Sequence, residues 1–557
     1  MSRLLVLFLA ILPASASPNA PLRLYYSYAR EDNAVYATEK GLESITPDYK
    51  FIRACSQIAS NDTRLANTVP LYTYFSKEYN DTANVATEES IDYVKKQNYE
   101  LVRIEGYVYT TSSDSSGGMP LKLYWSEARK DLFLAGCQED VQSAIAAGYV
   151  LKSVEGYAAN FFYDWPSTPP DDCPFEQSAT FSGVQFGSRA GIYGHADTWF
   201  PSWASDDNLY SPWTDGSVNG TAGGNGKHTT GFAVAVGDDP LNLTITNIGT
   251  FSSIQAPYGG RYPSANLVYN GNWYYGTYAL DNPQIPPDPA PNCGNWCVQG
   301  PFLDWRYSSV VSPTKPPEWH EPRVSMKNDT DNLFNQTSKN NTKVKIGAVH
   351  VVDFGKNMEH APNGKVYVIG HGAESSSAHE SWMQGDSVYL ARGTPDPLQI
   401  NNASAWEFYS GLGPDGVVIW SPYLHYAAPL FTWKNRTGVT TMTYVPALYK
   451  YITCVSTPTY SPYTVREFDT YFLESDNMMG PFSLIAYMAK FGPEAYFVNI
   501  PSKFVGTKVD KTGNGSFLDF YLSYSANFAM GRSQPNPPAS GYHWTLLESR
   551  FKIKDTV

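Results

Sequence analysis

A seven-residue pattern returns three times at a spacing of about fifty residues. Pro21-Leu22-Arg23-Leu24-Tyr25-Tyr26-Ser27 reappears as Pro70-Leu71-Tyr72-Thr73-Tyr74-Phe75-Ser76, and again as Pro120-Leu121-Lys122-Leu123-Tyr124-Trp125-Ser126. A second anchor, Tyr49, Tyr99 and Tyr149, keeps the same register. Glu105-Gly106-Tyr107 ends the second unit and Glu155-Gly156-Tyr157 the third. One such unit is too small to bury its own core, whereas three packed about an axis bury a common one. The spacing predicts a pseudo-threefold, β-trefoil-like module over residues 18–160.

These repeats resemble a module of secreted bacterial and fungal proteins that is likened to tachylectin-type lectins. The resemblance implies a glycan-binding role. Where that module carries His-Phe-Tyr-Thr-Thr, this chain has Val35-Tyr36-Ala37-Thr38, Val85-Ala86-Thr87 and Phe133-Leu134-Ala135.

The first residues read as a secretory signal peptide, 1–17. Arg3 supplies the charge, Leu4 to Leu12 the apolar run and Ala14-Ser15-Ala16 the cleavage site. That run is too short to cross a bilayer, and no later stretch is long enough, so no membrane partner is expected. Sequons at Asn61, Asn80, Asn219, Asn242, Asn328, Asn335, Asn340, Asn402, Asn435 and Asn514 fit a secreted, extracellular glycoprotein. Six cysteines in an oxidising compartment suggest disulfides. Cys293 and Cys297 are close enough to staple one loop. Cys55 with Cys137 and Cys173 with Cys454 are one choice among the connectivities that remain.

Prolines in Asp164-Trp165-Pro166-Ser167-Thr168-Pro169-Pro170 stiffen the chain and mark an interdomain linker, 161–174. Beyond it, residues 175–557 alternate aromatic strand-like runs with Gly, Asn and Pro turns. Examples are Asn272 to Ala279, Gly364 to Gly370, Asp386 to Ala391, Gly416 to Trp420, Met442 to Pro446 and Phe520 to Ser525. Aromatics at 15% and charged residues at 17% argue for an all-β chain and against coiled coil or disorder. A single sandwich is small for this length, so a five-bladed β-propeller with long insertions at Pro283 to Pro291 and Asn328 to Asn341 is the expected architecture. The net charge of −13 argues against nucleic acid as a partner.

The richest segment runs from Gly191 to Gly216 and reads as two strands around a turn at Asp206-Asp207-Asn208. Asp197 and Asp215 flank the hairpin. Trp199, Trp203 and Trp213 would offer flat faces to a sugar ring. Hydrolysis of a glycosidic bond needs two carboxyl groups, one protonated and one ionised. Here the region resembles five-bladed propeller glycoside hydrolases acting on arabinofuranose-containing glycans. Asp197 and Asp215 stand at the positions of that family's first two acids, with Thr214-Asp215-Gly216 in place of Gly-Asp-Thr. Glu359, beside His360, is the candidate general acid and Glu321 the reserve. Substrate-holding candidates are His195, Glu321, Arg323, His360 and His371, with Arg392 as a further cation. Asp206 and Asp207 read as turn residues.

No His-Glu-x-x-His or Cys-x-x-Cys pair marks a metal centre, and no cofactor is required. A structural Ca2+ held by channel oxygens would leave no trace in the sequence. The expected protein is a secreted glycoside hydrolase that cleaves a polysaccharide or cell-wall glycan, with an N-terminal glycan-binding module. The alternatives are a non-catalytic lectin and a structural wall protein.

Overall fold

The computed structural model describes residues 19–27, 30–37, 49–60, 67–112, 118–159, 162–165, 168–219, 230–251, 261–280, 298–320, 332–336, 344–372, 384–458, 468–491, 495–512, 515–526 and 543–554. The signal-peptide residues, Cys293, Cys297 and most of both expected insertions lie outside them. The chain divides into two compact units, Met1–Phe161 and Phe162–Val557.

In the first unit each repeat begins as an antiparallel hairpin. Asn19–Ser27 pairs with Asp32–Tyr36, Thr68–Ser76 with Asp81–Val85, and Met119–Ser126 with Asp131–Ala135. A long strand then returns along the first hairpin strand: Tyr49–Ala59, Glu100–Tyr109 and Val150–Ala158. The three long strands meet in single pairs, Ala59 with Tyr107, Tyr109 with Tyr157 and Gln57 with Ala159, which closes a triangle. Leu22, Leu71 and Leu121, from the repeated Pro-Leu, all enter one core. The expectation of strands alone needs one correction. Nine-residue helices, Glu88–Lys96 and Gln138–Ala146, precede the long strands of the second and third repeats. Thr87 caps the first through Ser90 N, with Glu88 and Glu89 at its positive end and Lys95 and Lys96 at its negative end.

The Glu-Gly-Tyr motif has a physical reason. Glu105 accepts the amide of Ala37 (2.9 Å), and Glu155 accepts those of Ala86 (2.7 Å) and Thr87 (2.9 Å). Each glutamate therefore ties its repeat to the one before. At Gly156, φ is +143°, and a Cβ would stand 2.6 Å from Val108 Cγ2, so only glycine lets the strands approach.

The second unit contains five antiparallel sheets among the described residues. One edge strand of each, taken here as that sheet's first, is His195–Asp197, Arg261–Tyr269, Val349–Val351, Val439–Val445 and Ala495–Asn499. Neighbouring first strands are joined by specific bonds. Asn266 Nδ2 donates to Phe200 O and Tyr210 O, both at 2.7 Å. Val349 N donates to Ser264 Oγ at 2.8 Å. Asp353 and Tyr444 link the third and fourth through Asp353 N to Met442 O and Tyr444 N to Asp353 O, both 2.9 Å. Thr441 and Thr443 donate to Val498 O (2.9 Å) and Ile500 O (2.7 Å). Asn499 Nδ2 returns to Trp199 O at 3.0 Å. The arrangement is propeller-like, a ring of sheets around their first strands. The strand Phe181–Tyr193 pairs with His543–Ile553, so early and late chain share one sheet.

Two expectations are corrected here. Tyr163 and Asp164 pair with Phe186 and Gln185, and Trp165 Nε1 donates to Ala489 O (3.0 Å), so these residues pack as part of the second unit rather than as linker. Cys173 and Cys454 are free thiols, which removes their expected pairing. Cys137 is disulfide-bonded, while the side chain of Cys55 lies outside the description.

Candidate active site

Asp197 ends the first strand of the ring, and its carboxyl is buried. Tyr496 Oη, from the fifth sheet, donates to Oδ2 at 2.7 Å, and Thr198 Oγ1 donates to Oδ1 at 2.7 Å. Burial dominates these bonds and raises the carboxyl to about 7. Each partner in the Tyr496–Asp197 bond is followed by a residue in the left-handed region. Thr198 has φ +63° and Phe497 φ +53°. Such conformations cost on the order of 1–3 kcal/mol each and persist only where the surroundings impose them.

From Tyr496 a line of rings leads across the axis. Tyr496 lies 4.7 Å from Phe497, Phe497 lies 5.5 Å from Phe200, and Phe200 lies 4.0 Å from His350. His350 stands on the strand Val349–Val351 with neither ring nitrogen hydrogen-bonded. Burial, helped by the neighbouring His371, lowers it to about 3, so it is a neutral imidazole. His371, singled out in the sequence, neighbours His350, and Asp197 is linked to His350 through Tyr496, Phe497 and Phe200. Tyr496, Phe497, Thr198 and His350 were missed. Tyr496 stands 299 residues from Asp197, and no local pattern links the two.

The other candidates fall elsewhere. Trp199 is buried, stacks on Trp544 at 5.0 Å and donates its Nε1 to Ala196 O at 2.8 Å. Trp213 is buried and donates to Asn247 Oδ1 at 3.2 Å. Both are core residues, which corrects their expected role as sugar platforms. Trp203 is half-buried against the same core. Asp206 accepts Asn208 N and Tyr210 Oη within the expected turn, and Asp207 pairs with Lys356 at 2.5 Å.

Glu359 and His360 are exposed neighbours, 3.8 Å apart, on a turn. Lys356 ties that turn to Asp207, and Asn357 Oδ1 ties it to Asn270 N. It therefore sits at the turn end of the ring. Asp197 sits opposite Thr214, while Trp203, next to the turn, sits opposite Leu209. Five residues of strand span about 16 Å, so the turn carrying Glu359 and His360 and the strand end carrying Asp197 stand at different levels of this sheet. Arg392 is engaged by Glu407 at 2.9 Å and lies 4.0 Å over Trp420. Asp215 follows Thr214 on its strand, but its side chain and that of His195 lie outside the description, as do Glu321 and Arg323.

A separate cavity of about 550 Å³ is lined by Phe334, Gln336, Lys345, Phe408, Tyr423 and His425, among others. Tyr423 and the nearby Tyr426 are 60% and 61% exposed.

No protein-family model matches the sequence, and no curated protein matches it. Among solved structures, the chain is similar to RS223 β-xylosidase at 12% identity, over 65% of this chain and 96% of that one, with a TM-score of 0.31. It is similar to the α-L-arabinofuranosidase PaAbf62A of Podospora anserina, in complex with cellotriose, at 12% identity over 65% and 91%, TM-score 0.31. It is also similar to Zg3597, a family 117 glycoside hydrolase of Zobellia galactanivorans, at 15% identity over 67% and 90%, TM-score 0.32. Likeness at this level decides nothing about chemistry.

Proposed function

We propose that the second unit is a five-bladed propeller glycoside hydrolase acting on a polysaccharide, with arabinofuranose-containing glycans as the first substrates to try. The first unit is then a trefoil-like glycan-binding module, and the whole is a secreted glycoprotein. Asn80, Asn219, Asn242, Asn335, Asn402 and Asn435, the described sequon residues, are all exposed, which supports the last point.

The observation that carries the reading is Asp197. Its carboxyl is held near neutrality on the first strand of the ring, against Tyr496 and a strained Thr198. A group poised there exchanges a proton with a glycosidic oxygen at neutral pH. Asp215 is the proposed second carboxyl, and His195, Glu321 and Arg323 the partners of sugar hydroxyls. Reducing-sugar release from arabinan, arabinogalactan and fungal-wall glucan is expected to fall at least about a hundredfold in Asp197→Asn. Equal release by wild type and variant removes Asp197 from the mechanism.

A second reading has its own observation. Asp197 is only 3% exposed, and Trp199 and Trp213 are covered, whereas Tyr423 beside the 550 Å³ cavity is open. This favours glycan binding without turnover. Under it, no glycan is cleaved, the protein is retained on a glycan column, and Tyr423→Ala elutes early.

A further inference from the structure

Asp32, Asp81 and Asp131 open the second strand of the three hairpins of the first unit. They occupy one register position, opposite Ser27, Ser76 and Ser126. The repeat therefore brings three carboxyls to its axis. One oxygen from each lies within 4.8 Å of one oxygen from each of the others. The residues are 3%, 1% and 2% exposed.

The two oxygens of each group have different surroundings. Oδ2 of Asp32, Asp81 and Asp131 accepts the hydroxyl of Tyr49, Tyr99 and Tyr149, which stand at or one residue before the start of the long strand of the same repeat. Leu132 N also reaches Asp81 Oδ2 (3.2 Å), and Asn33 Nδ2 reaches Asp131 Oδ2 (3.0 Å). Oδ1 of all three is buried and no donor from another residue type reaches it, while the carboxyls of Asp32, Asp81 and Asp131 lie within hydrogen-bonding reach of one another. Asn33, which touches the cluster through Nδ2, has a buried Oδ1 without a partner. A buried acceptor that no donor satisfies costs about 1–3 kcal/mol. Arg30 lies 5.5 Å from the Tyr49 ring and Arg129 5.9 Å from the Tyr149 ring, and their positive charges favour the ionised form of Asp32 and of Asp131.

We propose that this axis binds one hard divalent cation of the Ca2+ class, held by one carboxylate oxygen from each of Asp32, Asp81 and Asp131. The donors are oxygens alone, with no imidazole or thiolate in the group, which selects hard ions over zinc or copper. A separation of up to 4.8 Å between donors suits an ion with contacts of about 2.4 Å. The tyrosine hydroxyls hold each carboxylate by its other oxygen, the usual task of groups behind a ligand shell. The ion would join the three repeats at one point and so staple a small core. This site does not depend on the hydrolase reading of the second unit.

The test uses the full chain, refolded after chelation. Tb3+ is added in increments and excited through tyrosine, since three tyrosines contact the ligands. Sensitised emission is expected to saturate at one equivalent and to be displaced by Ca2+. Asp81→Asn is expected to weaken Tb3+ binding at least tenfold, while Asp197→Asn leaves it unchanged. Ca2+ should also raise the melting temperature of the wild-type first unit. Absence of saturable emission and of any Ca2+ effect on wild type overturns the proposal, and assigns the cluster to carboxyls that share protons. Unchanged emission in an Asp81→Asn protein with wild-type circular dichroism overturns it equally.

Discussion

The two units solve the same problem, joining sheets around an axis, in opposite ways. In the first, one device is used repeatedly. Glu105 and Glu155 tie successive repeats through backbone amides, and three Asp–Tyr pairs stand at equivalent positions. In the second, every junction differs: Asn266 to carbonyls, Val349 to Ser264, a backbone exchange at Asp353, two threonines, and finally Tyr496 to Asp197. Repetition gives interchangeable ties. A ring of unlike junctions leaves one of them free to hold a group with its own chemistry, and the Asp197 junction is that one.

The sharpest way to break this comparison is through pH, because two axis groups of the second unit titrate in opposite senses. Asp197 is raised to about 7, so its contribution is present below the ordinary carboxyl range and is lost as pH rises to 7. His350 is lowered to about 3, so its contribution is present above its ordinary value near 6.5 and is lost as pH falls towards 3. Between pH 4 and 6.5 the two slopes oppose each other, and wild-type stability should be nearly flat there. Asp197→Asn should make stability rise with pH across this window, and His350→Gln should make it fall, each by on the order of 3 kcal/mol. Denaturant melts at four pH values check both signs. Parallel slopes in the two variants would contradict the assignment.

Next in size, Glu105→Ala and Glu155→Ala should each cost about 2–3 kcal/mol of first-unit stability, because the first leaves the Ala37 amide and Arg103 without their acceptor and the second the amides of Ala86 and Thr87. Equivalence of the repeats requires the two losses to agree within about 1 kcal/mol. A disparity beyond that, measured by urea unfolding, would mean the ties are not interchangeable. The smallest effect belongs to Tyr496→Phe, about 1 kcal/mol. Loss of its hydroxyl also removes a donor that favours the ionised form, so the Asp197 carboxyl should titrate higher, and the pH profile of the variant should shift alkaline.

Much of the fold was legible because repetition and alternation are local properties. The fifty-residue spacing marks the three hairpins, and the runs at Asn272, Gly364, Asp386, Gly416, Met442 and Phe520 all lie in or beside strands. The helices were hidden in segments chosen for their strand neighbours, although Thr87 followed by Glu88 and Glu89 is a readable start signal. The site was harder. Tryptophan is written the same way whether it faces a ligand or a core, and the stacking of Trp199 on Trp544 joins residues far apart in sequence. Glu359 beside His360 was readable as an acid next to an imidazole, but not the turn that carries them, which positive φ at Asn357 and Met358 makes. Asp32, Asp81 and Asp131 keep the spacing of the repeat, each five residues after the serine that ends the repeated motif, so their equivalence was legible; that they converge on one axis was not.

Pairing of Phe181–Tyr193 with His543–Ile553 has a consequence for how the molecule is made. During synthesis, an early edge of one sheet must wait through more than three hundred residues of translation for its partner. A nascent chain stalled before His543 exposes Phe181, Val184 and Phe186, apolar side chains that the finished sheet covers. The sheet therefore cannot be completed until the strand His543–Ile553 has been made.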